Sequence, residues 1–171
     1  MKQLCILLGM MGLLSCNTTK ELPTIKVLDV TKYQGTWYEI ARLPNRFEKG
    51  LKCISANYSL MEHGRIKVLN KGYSEKKKKY KTAEGTAWIP DADFPARLKV
   101  RFFWPFSGNY YIMALAENYS YALVGDPSRK YLWILSRSKK LDDKTYKDLL
   151  EIAKVNGFLV ASMINVEHDC E

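Results

Sequence analysis

Arg97-Leu98-Lys99-Val100-Arg101-Phe102 alternates a charge with an apolar side chain three times over, and this period of two most narrows the folds open to the chain. Residues two apart share one face of a strand, so Leu98, Val100 and Phe102 look into a core while Arg97, Lys99 and Arg101 look into water. The rhythm recurs in Cys53-Ile54-Ser55-Ala56-Asn57-Tyr58, which Glu62-His63-Gly64 turns into Ile66-Lys67-Val68-Leu69-Asn70 as a hairpin. Segments 111–115, 121–124 and 131–137 read as further strands, the last two joined around Gly125-Asp126-Pro127-Ser128. Segments 36–42 and 85–88, stopped by Pro44 and Pro90, bring the count to eight. Eight antiparallel strands with short connections can close into an up-and-down β-barrel, which has no edges to protect. The interior of such a barrel either holds one small ligand or is filled by its own side chains.

One segment breaks the β pattern. From Asp142 to about Val155 the period becomes helical: Tyr146, Leu149, Leu150 and Ala153 form one apolar stripe, Asp142 is placed to cap the start, and Asn156-Gly157 is a stop signal. The stripe needs a surface, and the outside of the barrel supplies one; a partner or a membrane is the alternative.

The first fifteen residues are read separately. Lys2 followed by the apolar run 4–14 has the plan of a secretory signal, and no stretch approaches the roughly 20 residues needed to span a bilayer as a helix. Leu13-Leu14-Ser15-Cys16 resembles a bacterial lipobox, in which cleavage falls before an acylated cysteine; a plain secreted protein cut nearby is the other reading. The expected division is a lipoprotein signal over 1–15, a lipidated tether over 16–28 and one domain over 29–171. Asn17 after Cys16, by resemblance to enteric lipoprotein sorting, directs the anchor to the outer membrane, with the domain facing the periplasm. Of four cysteines, Cys5 leaves with the signal and Cys16 takes the lipid, so Cys53 and Cys170 remain in an oxidising compartment. They read as a disulfide or, alternatively, as reactive thiols, although neither has a histidine in a nucleophile arrangement.

A formal charge of +9 raises the question of an anionic partner. Six lysines fall between Lys71 and Lys81, including the run Lys76-Lys77-Lys78-Lys79, in the link between two predicted strands. A solvated hairpin tip, inert or grazing anionic lipid headgroups, accounts for them better than nucleic acid, which wants interleaved aromatics or a groove-reading helix. No nucleic-acid partner is expected for an exported chain.

Gly35-Thr36-Trp37-Tyr38-Glu39-Ile40-Ala41-Arg42 resembles the first signature of the lipocalins in the form carried by bacterial outer-membrane members. Leu135-Ser136-Arg137 resembles the third, and the resemblance implies that Arg137 crosses the closed end of the barrel to lie over Trp37, with Gly35 beside them as part of the structural signature. The second signature is only partly kept, Tyr119 matching its tyrosine. Residues 53–62 resemble the corresponding stretch in the apolipoprotein D branch of the family, which implies that Cys53 pairs with Cys170. The resemblance spans 29–170 and implies an all-β, eight-stranded lipocalin barrel with its C-terminal helix packed outside.

The inward phase, carried from Trp37 and Arg137 through the alternating strands, predicts a cavity lined by Ile54, Ala56, Tyr58, Val68, Asn70, Leu98, Val100, Phe102, Tyr111, Met113, Leu115, Val124, Trp133 and Leu135. Such walls suit an acyl chain, and the expected ligand is a fatty acid or lysophospholipid, bound for membrane maintenance or lipid transfer. No catalytic residue, cofactor or metal is expected, because the chain lacks a G-x-S-x-G elbow, a metal-ligand cluster and a pair of inward carboxylates. The other readings are an enzyme acting on a bound lipophile or a carrier of a tetrapyrrole or other small hydrophobic ligand. A siderophore would call for inward Lys or Arg, absent from the predicted lining. The chain is expected to be a monomer or homodimer.

Overall fold

The computed structural model describes residues 21–170; the expected signal, Cys16 and the start of the tether lie outside the described residues. In chain order the elements are α1 (Val30–Tyr33), β1 (Gly35–Arg42), β2 (Leu51–Leu60), β3 (Ile66–Ser74), β4 (Lys79–Trp88) and β5 (Arg97–Phe103). There follow β6 (Phe106–Leu115), β7 (Tyr121–Gly125), β8 (Leu132–Ser136), α2 (Asp143–Val155) and β9 (Ile164–Asn165). Strands β1 to β8 pair antiparallel with their sequence neighbours, and β1 closes the barrel by pairing with both β2 and β8. All eight predicted strands are present. The largest difference is at β3 and β4, which run on to Ser74 and back from Lys79, so the lysine segment is a four-residue turn on a long projecting hairpin and Lys71, Lys79 and Lys81 sit on strands.

Strand direction fixes which loops share an end. Connections 43–50, 75–78, 104–105 and 126–131 lie at one mouth, while α1 and connections 61–65, 89–96 and 116–120 lie at the other. The second end is closed. Asp29 caps α1 by accepting from the N–H groups of Thr31 and Lys32, and the single turn carries Tyr33 into the core.

Side chains divide between two apolar clusters. Inside the barrel, Trp37, Tyr58, Ile66, Val68, Leu98, Ile112 and Val124 pack together; outside it, Ala41, Met113, Leu123, Leu132 and Ile134 of the wall meet Leu149, Ala153 and Phe158. Helix α2 thus lies on the barrel through the predicted stripe, with Tyr146 and Leu150 half-buried beside Leu149 and Ala153, and Asp142 accepting from the Thr145 N–H. Leu22 joins the outer cluster at 1% exposure, and the Ile25 N–H donates to the Ile112 carbonyl, so residues 21–28 lie along the barrel wall. An apolar Leu22 that can be buried does not stay in water.

Four β-bulges interrupt the ladders, in β1 between Glu39 and Ala41, in β2 between Lys52 and Ser55, in β5 between Val100 and Phe103, and in β6 between Ile112 and Ala114. Each adds a residue and resets which side chains face inward. Strand β9 was not predicted. It is two residues long and takes the edge of β1 at Ala41 and Arg42, beyond the point where β2 leaves β1 at Tyr38.

Candidate ligand cavity

The inward side chains enclose a free volume of about 100 Å³. Its walls come from Ile54, Ala56 and Tyr58 of β2, Val68 and Asn70 of β3, Leu98, Val100 and Phe102 of β5, and Trp133 and Leu135 of β8, all placed here by the sequence pattern. The Phe102 ring rests on β4 at Gly85, where a Cβ would meet ring carbons at 2.8 Å, so the close approach requires glycine.

Four predicted lining residues are elsewhere. Tyr111 and Met113 belong to the outer cluster under α2, because the β6 bulge at 112–114 reverses the phase: Tyr110 and Ile112 face inward before it and Leu115 after it. Leu115 and Val124 are inside the barrel but in its packed core, away from the free volume.

The floor carries a chain of phenols that the sequence reading passed over in part. Tyr33 and Tyr110 share a hydrogen bond of 2.7 Å, and Tyr110 and Tyr58 one of 2.9 Å. Burial pushes all three hydroxyls above the ordinary tyrosine pKa, that of Tyr58 to about 12, so they stay neutral. Three hydroxyls joined by two bonds leave one O–H able to donate to a guest.

Toward the mouth the wall holds a buried ion cluster. Glu39 is 3% and Arg42 5% exposed, and Arg42 Nη1 donates to Glu39 Oε1 at 3.0 Å while Arg42 Nε lies 3.5 Å from Glu48 Oε2. Glu48 Oε2 also accepts from Trp133 Nε1 at 3.2 Å and from Asn45 Nδ2, which fixes both the indole and the 43–50 loop. Burial first, and the neighbouring Glu48 carboxylate second, hold the Glu39 carboxyl well above the usual carboxylate range. Glu39 and Glu48 both line the cavity, so the expectation of no paired inward carboxylates is corrected. Alternation from Trp37 to Glu39 carried the signal, but a charge at that position reads as solvent-facing. Arg42, likewise, is basic and turned in, although both carboxylates engage it. Ile66, Ala87 and Ser55 complete the wall. Ile66 keeps phase with the predicted Val68 and pairs with Ala87.

The closed end has the geometry that the motifs imply. The Arg137 guanidinium lies 3.9 Å from the centre of the Trp37 ring and donates to the carbonyls of Thr36 at 2.9 Å, Lys32 at 2.8 Å and Tyr119 at 3.3 Å. Trp37 Nε1 donates to the Tyr33 carbonyl at 2.9 Å. Gly35 has φ +91°, and a Cβ there would stand 3.3 Å from Arg137 Nη1, two reasons for glycine at one position. Cys53 and Cys170 form a disulfide. The two histidines do not meet: His63 is in an exposed turn, and His168 Nε2 lies 2.8 Å from the Glu39 carbonyl oxygen.

A closed antiparallel barrel with an apolar interior, one plugged end and one open end is a binder of small hydrophobic molecules. Residues 28–168 match the lipocalin-like domain, and the chain belongs to the lipocalin family. It is 45% identical over 139 residues to the outer membrane lipoprotein Blc of Escherichia coli strain K12, covering 81% of this chain and 78% of that one. It is 39% identical over 148 residues to apolipoprotein D of Macaca fascicularis, covering 82% and 77% of the two chains. Among solved structures, the cockroach allergen Per a 4 superposes with a TM-score of 0.67 at 26% identity, over 85% of this chain and 91% of the other.

Proposed function

We propose that the chain is a periplasm-facing lipoprotein, anchored through Cys16, that holds one single-chain lipid, a fatty acid or lysophospholipid, for membrane maintenance. The observation that carries this reading is the cavity itself: its walls are mostly apolar, with polar groups at the tyrosine floor, at the Glu39–Arg42–Glu48 cluster near the mouth and at Asn70 and Ser55. Apolar walls supply affinity in proportion to the area they cover, and the polar groups at each end orient a guest. A free volume of about 100 Å³ is small against the roughly 300 Å³ at the lower end of ligand sites, so a guest must displace lining side chains. A slender acyl chain asks less displacement than a tetrapyrrole, which favours the lipid over the macrocycle.

Native mass spectrometry of the protein purified with its cargo tests the reading. The expected result is a mass increment of one monoacyl lipid. A barrel that is empty and also takes up no fluorescent fatty acid overturns it. Phe102→Asp, which sets a charge in the lining, is expected to abolish uptake while the far-ultraviolet spectrum keeps its β signature.

A further inference from the structure

The cavity explains the inward residues but not the rim. The turn between β5 and β6 presents Phe103, Trp104 and Phe106 at 74%, 82% and 78% exposure, side by side in sequence. Solvent-exposed aromatics at that density mark a surface that is covered in use. Phe47, in the 43–50 loop at the same end, is 59% exposed. Next along the rim is the β3–β4 hairpin with Lys76, Lys77, Lys78 and Lys79, none of which forms an ion pair among the described residues. Contacts just below its tip hold the hairpin: the Tyr73 and Tyr80 rings meet edge to face at 5.3 Å, and the Lys71 ammonium stands 4.1 Å over Tyr80. The aromatic tip and the basic tip stand on either side of a notch, because β4 pairs with β5 only at Thr86, Ala87 and Trp88. Mouthward of Thr86 the two hairpins separate, and residues 79–84 of β4 are exposed throughout.

We propose that this rim docks onto an anionic phospholipid bilayer, with Phe103, Trp104 and Phe106 entering the interface and the Lys76–Lys79 tip on the phosphates, so that the cavity opens into the membrane. Aromatic rings belong at the headgroup level, where an apolar body meets wet surroundings, and each lysine near an anionic surface adds attraction that fades beyond a Debye length. A second copy of the chain is the other candidate occupant. A symmetric rim-to-rim contact would bring two clusters of unpaired lysines together, whereas lipid phosphates complement them. The docking rests on the rim alone; only the passage of an acyl chain through the notch rests on the function proposed above.

The experiment uses the full-length protein incorporated into phosphatidylethanolamine–phosphatidylglycerol vesicles whose acyl chains are brominated, against unbrominated controls. Tryptophan emission is expected to shift to the blue and to be partly quenched, and Trp104→Phe is expected to remove that quenched component. Quenching is also expected to be lost when phosphatidylglycerol is left out and in the quadruple variant K76E/K77E/K78E/K79E. Equal quenching of wild type and Trp104→Phe overturns the proposal. So does a triple variant F103S/W104S/F106S that loses only self-association in solution, which would make the tip a chain–chain contact. Uptake of a fluorescent fatty acid from solution is read on the same samples: its failure with docking intact counts against the lipid cargo and leaves the docking standing.

Discussion

A carboxylic acid buried beside a second carboxylate is most at ease with its proton on, and Glu39 is in that position. Its pKa in the folded chain lies above the ordinary value of an unfolded glutamate, so folding is favoured most at acid pH and that contribution is lost as pH rises through the folded value. Glu39→Gln, which keeps the protonated shape, is therefore expected to gain melting temperature on wild type as pH rises from about 4 to about 9, by roughly 2–4 °C for each kcal/mol. Thermal unfolding of both proteins across that range checks it, and a constant difference contradicts it. Arg137 is a different case. Methionine in its place keeps bulk but loses the contact with Trp37 and three carbonyl bonds, and an expected cost of about 2–3 kcal/mol is read from the urea midpoint. Gly35, Trp37 and Arg137 were legible through the signatures they share with the lipocalins, and their contacts at the closed end use a missing side chain, a ring and a guanidinium in turn. Glu39 and Glu48 stayed hidden because their burial depends on Arg42, Asn45 and Trp133 converging from β1, the 43–50 loop and β8.

At the scale of elements, alternation, β-branched and aromatic runs and their turn residues recovered the strands of the barrel, and the helical period recovered α2 with its caps, since all are local patterns. Bulges are not. One inserted residue at 112–114 leaves the composition of β6 unchanged yet sends Met113 outward to the helix, and only the pairing partner β7 reveals it. This yields a sharp expectation. Met113, 8% exposed among Leu123, Leu149 and Phe158, should cost about 2–4 kcal/mol when replaced by alanine, as buried methionines do, while uptake of a fluorescent fatty acid is unchanged. Chemical denaturation and a binding titration on Met113→Ala together decide it; weakened binding in the folded variant would return Met113 to the cavity.

Across the whole molecule, the barrel closes through β1, the strand that meets β2, β8 and β9 in turn, and the C-terminal segment is strapped over that seam. The strap is held by several contacts: the Val166 N–H donates to the Ile40 carbonyl, the Cys53 N–H to the Glu167 carbonyl at 2.7 Å, and Lys52 pairs with Asp169 at 2.9 Å. Cys53 itself sits in the β2 bulge with φ of 51°, a conformation rare outside glycine, and its bond to Cys170 pins the bulge and the strap together. Two cysteines 117 residues apart close a loop for which chain entropy gives about 5 kcal/mol, an upper figure because native bridges often deliver less. The Cys170 N–H donates to Cys53 Sγ at 3.0 Å, but the Val166, Glu167 and Lys52 contacts do not depend on the sulfur. The cavity walls on β2 and its neighbour β3 adjoin the bridge, whereas β5 and β8 do not pair with β2. Cys170→Ser paired with Cys53→Ser is accordingly expected to lower the denaturant midpoint strongly and to raise hydrogen exchange at 164–170, while ligand uptake by the folded fraction persists. Exchange confined to the cavity strands instead of the strap would mean that the bridge supports the binding site, and an unmoved midpoint would mean that the seam is held by β8 and β9 alone.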